Sequence, residues 1–229
     1  MRTLLKVLPL AAVFACTEKA PAPDTTAAKT AAPAPAAAPA AFTDATSPDS
    51  FLVHVVTSRG PFDILVHRDW SPHGADRFYT LVNDKFYDGT RFFRVLVNFM
   101  AQFGISGDTA TAALWRNRSI PDDPVKKGNA RGIVSFATAG PNTRRTQLFI
   151  NYKNNTDLDG MGFSGLGQVV DGGMAVVDSL FSSYGEGAPD GYGPDQNQIE
   201  HKGNAYLADK FPQLDSIVTA RVVRTWPGG

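Results

Sequence analysis

The sequence predicts a mainly β fold, a closed antiparallel barrel with helices over its openings. Three observations carry this. Runs of β-branched and aromatic residues recur at short spacing, bounded by Gly, Pro, Asn and Asp, the pattern of strands joined by turns. The chain holds 21 glycines, 16 prolines and 10% aromatics in 229 residues, which suits strands and turns better than a helix bundle. Only two stretches carry apolar residues at helical spacing.

The elements follow in order. FLVHVVTSRGPFDILVHR (51–68) reads as a hairpin about the turn Ser58-Arg59-Gly60-Pro61. SPHGADRFYTLVND (71–84) predicts a helix with Ser71 as N-cap and Phe78, Leu81 and Val82 on one face. An Asp-Gly turn then leads into FFRVLVNFMAQFG (92–104), a strand with a candidate break at Val97-Asn98. RGIVSFATAG (131–140), QLFIN (147–151) and GLGQVV (165–170) are short strands bounded by turn residues. MAVVDSLF (174–181) predicts the second helix, with Val176, Val177 and Leu180 facing inward. Residues 182–214 form a long Gly- and Pro-rich insertion whose aromatics and Leu207 are expected to pack in part on the barrel. DSIVTARVV (215–223) is the closing strand, and no internal repeat is present.

The first residues, MRTLLKVLPLAAVFAC, have Arg2 and Lys6 before a short apolar run, as in an export signal too short to span a bilayer. VFAC resembles the lipobox of bacterial lipoproteins, which implies cleavage after residue 15 and acylation of Cys16, a lipid anchor to a membrane. An ordinary secretory signal with an incidental cysteine is the other reading. Residues 16–49 are rich in Ala, Pro and Thr and hold almost no large apolar side chains, so they read as a disordered linker. Such a linker spans about 30 Å as a coil and roughly 100 Å when stretched. The folded domain is expected over residues 50–229, exported into the cell envelope or beyond the cell, with no internal disulfide because Cys16 is the only cysteine. Lys plus Arg and Asp plus Glu number 22 each. That balance does not suit a nucleic-acid partner, which calls for a basic face. A monomer is the default.

Arg94 stands in an otherwise apolar run, with Phe92, Phe93 and Phe99 around it. A charge costs several kcal/mol to bury alone. Either its stem packs on aromatics while its head reaches solvent, or it is a placed donor. Strand periodicity puts Gln147 and Phe149 on one face, and Arg94, Met100 and Gln102 share parity across the candidate break.

At FYDGTRFFRVLVNFMAQFG (86–104) and GIVSFATAGPNTRRTQLFIN (132–151) the chain resembles the cyclophilin-type peptidyl-prolyl cis–trans isomerases, and DLDGMGFSGLGQVVDGGMAVVDSL (157–180) matches a third block in order. The resemblance covers about residues 51–181 and the final strand. It implies an eight-stranded barrel capped by two helices, and isomerisation of X-Pro bonds in folding polypeptides, with no cofactor or metal. Residue by residue, it implies Arg94 as the catalytic arginine and Phe99, Met100 and Gln102 as lining the proline pocket. It places Ala137 and Thr138 at the substrate-backbone edge, Gln147 and Phe149 in the second block, and Leu158 at the rim. Gln102 is expected to hold the guanidinium through its amide oxygen. A non-catalytic module that binds Pro-containing segments is the alternative.

The chain departs from the family pattern at several points. Phe93 stands where a histidine is common, so an altered rate is expected. Asp157 or a neighbour replaces a tryptophan that helps bind cyclosporin, so weak inhibition is expected. Arg144 and Arg145 either attract acidic substrates or form a solvated edge. GMGFSG (160–165) lacks the strand before and helix after that a dinucleotide site needs, and GEGAPDGYG (185–193) lacks the lysine of a phosphate loop. His54, His67, His73 and His201 have no metal-ligand spacing. Asp122-Asp123 and Asp157/Asp159 read as turn or cap residues, or as Ca²⁺ ligands.

Overall fold

Alternation of inward apolar and outward residues makes the first hairpin. Phe51, Val53 and Val55 on β1 (Ser50–Thr57) and Phe62, Ile64 and Val66 on β2 (Gly60–His67) are buried. Thr57 pairs with Gly60, so the turn narrows to Ser58-Arg59. In order follow α1 (Pro72–Asn83), β3 (Arg94–Leu96), β4 (Met100–Phe103), α2 (Thr109–Trp115), β5 (Ile133–Phe136) and β6 (Leu148–Asn151). They are succeeded by α3 (Asp157–Gly160), β7 (Gly165–Val170), α4 (Met174–Asp178), α5 (Gln196–Lys210) and β8 (Ile217–Trp226). This computed structural model describes residues 42–227. The signal-like segment, Cys16 and the linker up to residue 41 lie outside the described residues.

The eight strands form one antiparallel sheet in the order β3-β4-β6-β5-β7-β2-β1-β8. The sheet curls so that its ends meet just before β3 and β8. There Arg91 bridges Ser216, the Phe92 amide donates to Asp215 O (3.0 Å) and the Ile217 amide to Thr90 O (2.8 Å). The closure expected from the sequence is thus one short seam rather than a ladder between β3 and β8. Inside the curl lie Phe92, Phe103, Val134, Leu148, Ile150 and Leu166, with Phe78 and Leu81 of α1 and Val177 of α4 packed against them.

Helix α1 stands where the sequence predicts it, and α4 starts at Met174 as expected but stops at Asp178, so that Leu180 is buried from the turn beyond it. The expected pair of helices is joined by α2, α3 and α5. In α5 the apolar period is broken at Gly203, whose φ of 60° kinks the helix. Ile199 and Leu207 still face one way and meet Phe93, Ile105 and Leu214 in a second apolar cluster. The insertion therefore docks on the barrel partly through Leu207, as expected, and through Phe93 on the barrel side.

Ser71 holds the N-cap position of α1, but its side chain makes no capping bond. Asp123 supplies it from a distant loop, accepting from the His73 and Gly74 amides (3.1 and 2.8 Å) and from Ser71 Oγ (2.6 Å). Residues 42–49, expected in the linker, are packed on the domain. Asp44 pairs with the buried Arg77 at 2.8 Å, Phe42 meets Trp115 edge to face, and Ser47 donates to Asp76. Among the described residues no helix is long and apolar enough to cross a membrane.

Candidate active site

The break at Val97-Asn98 is a tight turn. Asn98 takes φ 63°, and the Phe99 amide donates back to Leu96 O (3.0 Å). Asparagine tolerates this left-handed conformation better than most residues. The turn sets the register: Arg94 lies opposite Gln102, and Leu96 opposite Met100. Strand β4 in turn pairs Gln102 with Phe149 on β6. The shared parity of Arg94, Met100 and Gln102 therefore survives the break.

A polar chain runs across this face. Arg94 Nη1 donates to Gln102 Oε1 (3.1 Å), and Gln102 Nε2 donates to Gln147 Oε1 (2.8 Å). A guanidinium has no acceptor, so the Gln102 carbonyl must face Arg94 and its amide must face Gln147. Nη1 also lies 3.9 Å from Met100 Sδ, and the guanidinium carbon sits 5.8 Å from the Phe99 ring centroid.

Beside this chain opens a groove of about 350 Å³. Met100, Phe149 and Leu158 form its apolar floor, with Phe99, Ala137 and Phe163 packed against them. Phe149 meets Phe163 edge to face at 5.6 Å. Thr138 and Gln147 line the same groove. The Thr138 hydroxyl bonds to Gly140 O and lies 2.9 Å from Thr143 Oγ1, so it shapes its own loop. The structure thus brings together Arg94, Gln102, Phe99, Met100, Ala137, Thr138, Gln147, Phe149 and Leu158 around one cavity. Cys16 lies outside the described residues.

Beneath the groove is a buried amide network. Asn155 Nδ2 donates to Phe99 O (2.9 Å) and to Asn151 Oδ1 (2.7 Å). Asn129 Nδ2 donates to Asp159 Oδ1 and to Phe163 O (both 2.8 Å). Asn151 Nδ2 donates to Asn129 Oδ1 (3.3 Å), so the backbones carrying Phe99 and Phe163 are tied to one frame. Asp159 is engaged here as an acceptor, and Asp123 as the α1 cap. Among the described residues no group of three or more His, Cys, Asp or Glu converges as a metal site.

Sequence reasoning missed several groove residues. Phe163 lies in GMGFSG, next to a matched block, and its apolar ring among glycines was the available signal. Gln196, at the first turn of α5, also lines the groove. Glu186, from the glycine-rich part of the insertion, accepts Arg94 Nε (2.5 Å) and Nη2 (2.6 Å). The hydrogen bond from Arg94, chiefly, holds the Glu186 carboxyl below the usual carboxylate range, against a smaller upward push from burial. Arg144 is buried against Asp122 and Gly162 O, so it is neither a solvated edge nor an open cation. Arg145 lines the groove but donates to Arg116 O and lies 3.5 Å from Glu200.

The family model described as cyclophilin type peptidyl-prolyl cis-trans isomerase/CLD matches residues 52–199. The peptidyl-prolyl cis-trans isomerase of Acinetobacter baylyi is 33% identical over 138 residues, which are 56% of this chain and 71% of that protein. The peptidyl-prolyl cis-trans isomerase CYP65 of Arabidopsis thaliana is 34% identical over 111 residues, 47% of this chain but only 18% of that longer protein. The crystal structure of a cyclophilin type peptidyl-prolyl cis-trans isomerase from Cryptosporidium parvum shares the fold, with a TM-score of 0.56 at 19% identity over 77% of this chain and 99% of that one.

Proposed function

The chain belongs to the cyclophilin-type peptidyl-prolyl cis–trans isomerases, and from that premise we propose that it turns X-Pro bonds by donation from Arg94 to the imide nitrogen. The barrier, about 18–20 kcal/mol, is amide resonance. In the twisted transition state the imide nitrogen becomes pyramidal and regains a lone pair. A fixed donor aimed at that nitrogen binds this state better than either planar ground state. Arginine is always charged and presents a rigid set of N–H groups. The floor of Met100, Phe149 and Leu158 grips the proline ring while the preceding carbonyl rotates. No bond is made or broken, so the reaction needs no nucleophile or proton donor.

The observation that carries this reading is the Arg94–Gln102–Gln147 chain at the wall of an apolar groove. A module that only bound Pro-containing segments would not need a guanidinium held there. The test is cis-to-trans exchange of an X-Pro peptide, for the wild-type protein beside Arg94→Ala. Uncatalysed exchange takes roughly 10–100 s at 25 °C. Wild type is expected to accelerate it, and Arg94→Ala to lose roughly a hundredfold or more. Acceleration that survives the substitution would sink the mechanism. No acceleration by folded wild type would favour the binding module.

The clients we infer are proteins of the cell envelope. The support is the positively charged and apolar start, the VFAC sequence ending in Cys16, and the Ala/Pro-rich segment before the domain. Expressed in bacteria, the chain is expected to incorporate labelled fatty acid and fractionate with membranes, and Cys16→Ala to do neither. A wild-type chain that stays unlabelled would leave an ordinary secretory signal.

A further inference from the structure

The glycine-rich stretch Gly185–Gly193 has no phosphate-loop lysine, and the residue it wraps is Glu186. Glu186 takes Arg94 side-on, accepting from Nε at 2.5 Å and Nη2 at 2.6 Å. Gln102 accepts from Nη1 at 3.1 Å. The guanidinium is therefore fixed from two directions, by the paired strand and by the insertion. A single bond at Nη1 leaves the plane free to swing about the terminal torsions. A bidentate pair at Nε and Nη2 sets that plane as well as its position.

The insertion is built to hold Glu186 still. Its Oε1 also accepts the Gly187 amide (2.9 Å), and its carbonyl accepts the Gly193 amide (2.7 Å). The chain turns so tightly around it that a Cβ on Gly193 would lie 2.7 Å from the Glu186 carbonyl oxygen, and one on Gly191 would overlap that atom. At the base, Phe181 and Tyr184 stack edge to face at 5.0 Å, as do Tyr184 and Phe211. Arg94 lines the groove, whereas Glu186 is not among the lining residues. The carboxylate takes the Nε/Nη2 edge of the guanidinium and leaves Nη1 to Gln102.

We infer that Glu186 is a positioning residue of the isomerase reaction, carried in by the insertion to set the plane of the Arg94 guanidinium against the proline groove. This rests on the reading of Arg94 as the donor to the imide nitrogen. A donor misplaced by an ångström loses much of its effect on the barrier while the apolar floor still binds proline. The loss should therefore fall on kcat rather than KM.

The experiment compares X-Pro exchange by the full chain as wild type, Glu186→Ala, Glu186→Asp, Arg94→Ala and the Arg94→Ala/Glu186→Ala pair. Glu186→Ala is expected to lower kcat roughly ten- to a hundredfold, with KM little changed. Glu186→Asp should recover part of the rate. In the Arg94→Ala background the second substitution should change nothing. If Glu186→Ala does not fold, Glu186→Gln, of equal size, is expected to show the same loss of kcat. A wild-type kcat without the carboxylate would overturn the inference. So would a faster rate, which would make Glu186 a brake, or an equal further loss in the Arg94→Ala background, which would make its role structural. Wild-type activity in Arg94→Ala alone would sink the reading of Arg94 instead.

Discussion

A single carboxylate, Asp123, holds the start of α1. The first amides of a helix have no intrahelical partner, and α1 opens with Pro72, which removes one of them. Asp123 takes the next two, from His73 and Gly74, and also binds Ser71 Oγ, all while almost fully buried. Gly74 is packed so close to Ser71 that no other residue fits easily between helix and cap. Asp123→Ala would leave two amide donors, the one at Gly74 buried, and a buried hydroxyl without their acceptor. The expected cost is about 2 kcal/mol, read as a lower midpoint in urea with unchanged slope. Ser71→Ala should cost less, because the amides keep Asp123. Equal costs for the two variants would mean that the hydroxyl, and not the carboxylate, caps the helix.

At the scale of elements, two segments that look like connections act as structural parts. Residues 42–49 lie along α1, where Asp44 accepts from Arg77 Nε at 2.8 Å. The Arg77 side chain is only 3% exposed, and its Nη1 donates to Arg118 O and Arg145 O. Removing Asp44 would leave a buried cation without its counter-charge, at a cost of about 3 kcal/mol. A chain starting at residue 48 should therefore melt well below one starting at residue 42, and Asp44→Ala in the longer chain should reproduce most of the difference. Two chains melting together would show that Arg77 finds compensation elsewhere. The second segment is the insertion, whose helix α5 was not legible because Gly203 interrupts its period and its buried side chains are widely spaced. Its docking was partly legible in Leu207. The partner side was not, because Phe93 reads as a departure from a family pattern until Ile199 and Leu207 are seen to cover it.

Across the whole molecule, what the sequence disclosed is what depends on local period. β7 falls on GLGQVV without change, and the facing of Arg94, Met100, Gln102, Phe149 and Gln147 follows from strand alternation. The Glu186 clamp had no local signal, since its partner lies 92 positions away. The same long-range charge pairing governs how the fold responds to acid. Burial pushes the carboxyls of Asp76, Asp88 and Asp215 up, but bonds from Arg68 and Ser47, from Arg221 and Ala220, and from Ser58, Phe181 and Arg59 outweigh it and hold them below their ordinary values. Groups depressed in the folded state bind protons more readily when unfolded, so their stabilisation is full above the unfolded value near 4 and is lost as pH falls through the lower folded values. Burial also lowers His67, which adds a shallow decline from about pH 6.5 downward, since the unfolded ring takes up its proton first. The melting temperature is therefore expected to be nearly level at neutral pH, to slope gently toward pH 5, and to fall steeply below about pH 4. Asp215 ties Ser58, Arg59 and Phe181 to the seam where the sheet closes. Asp215→Asn should lower the neutral melting temperature and flatten part of the acid fall. A wild-type curve level down to pH 3, or a variant with an undiminished acid fall, would show that these pairs do not control the closure.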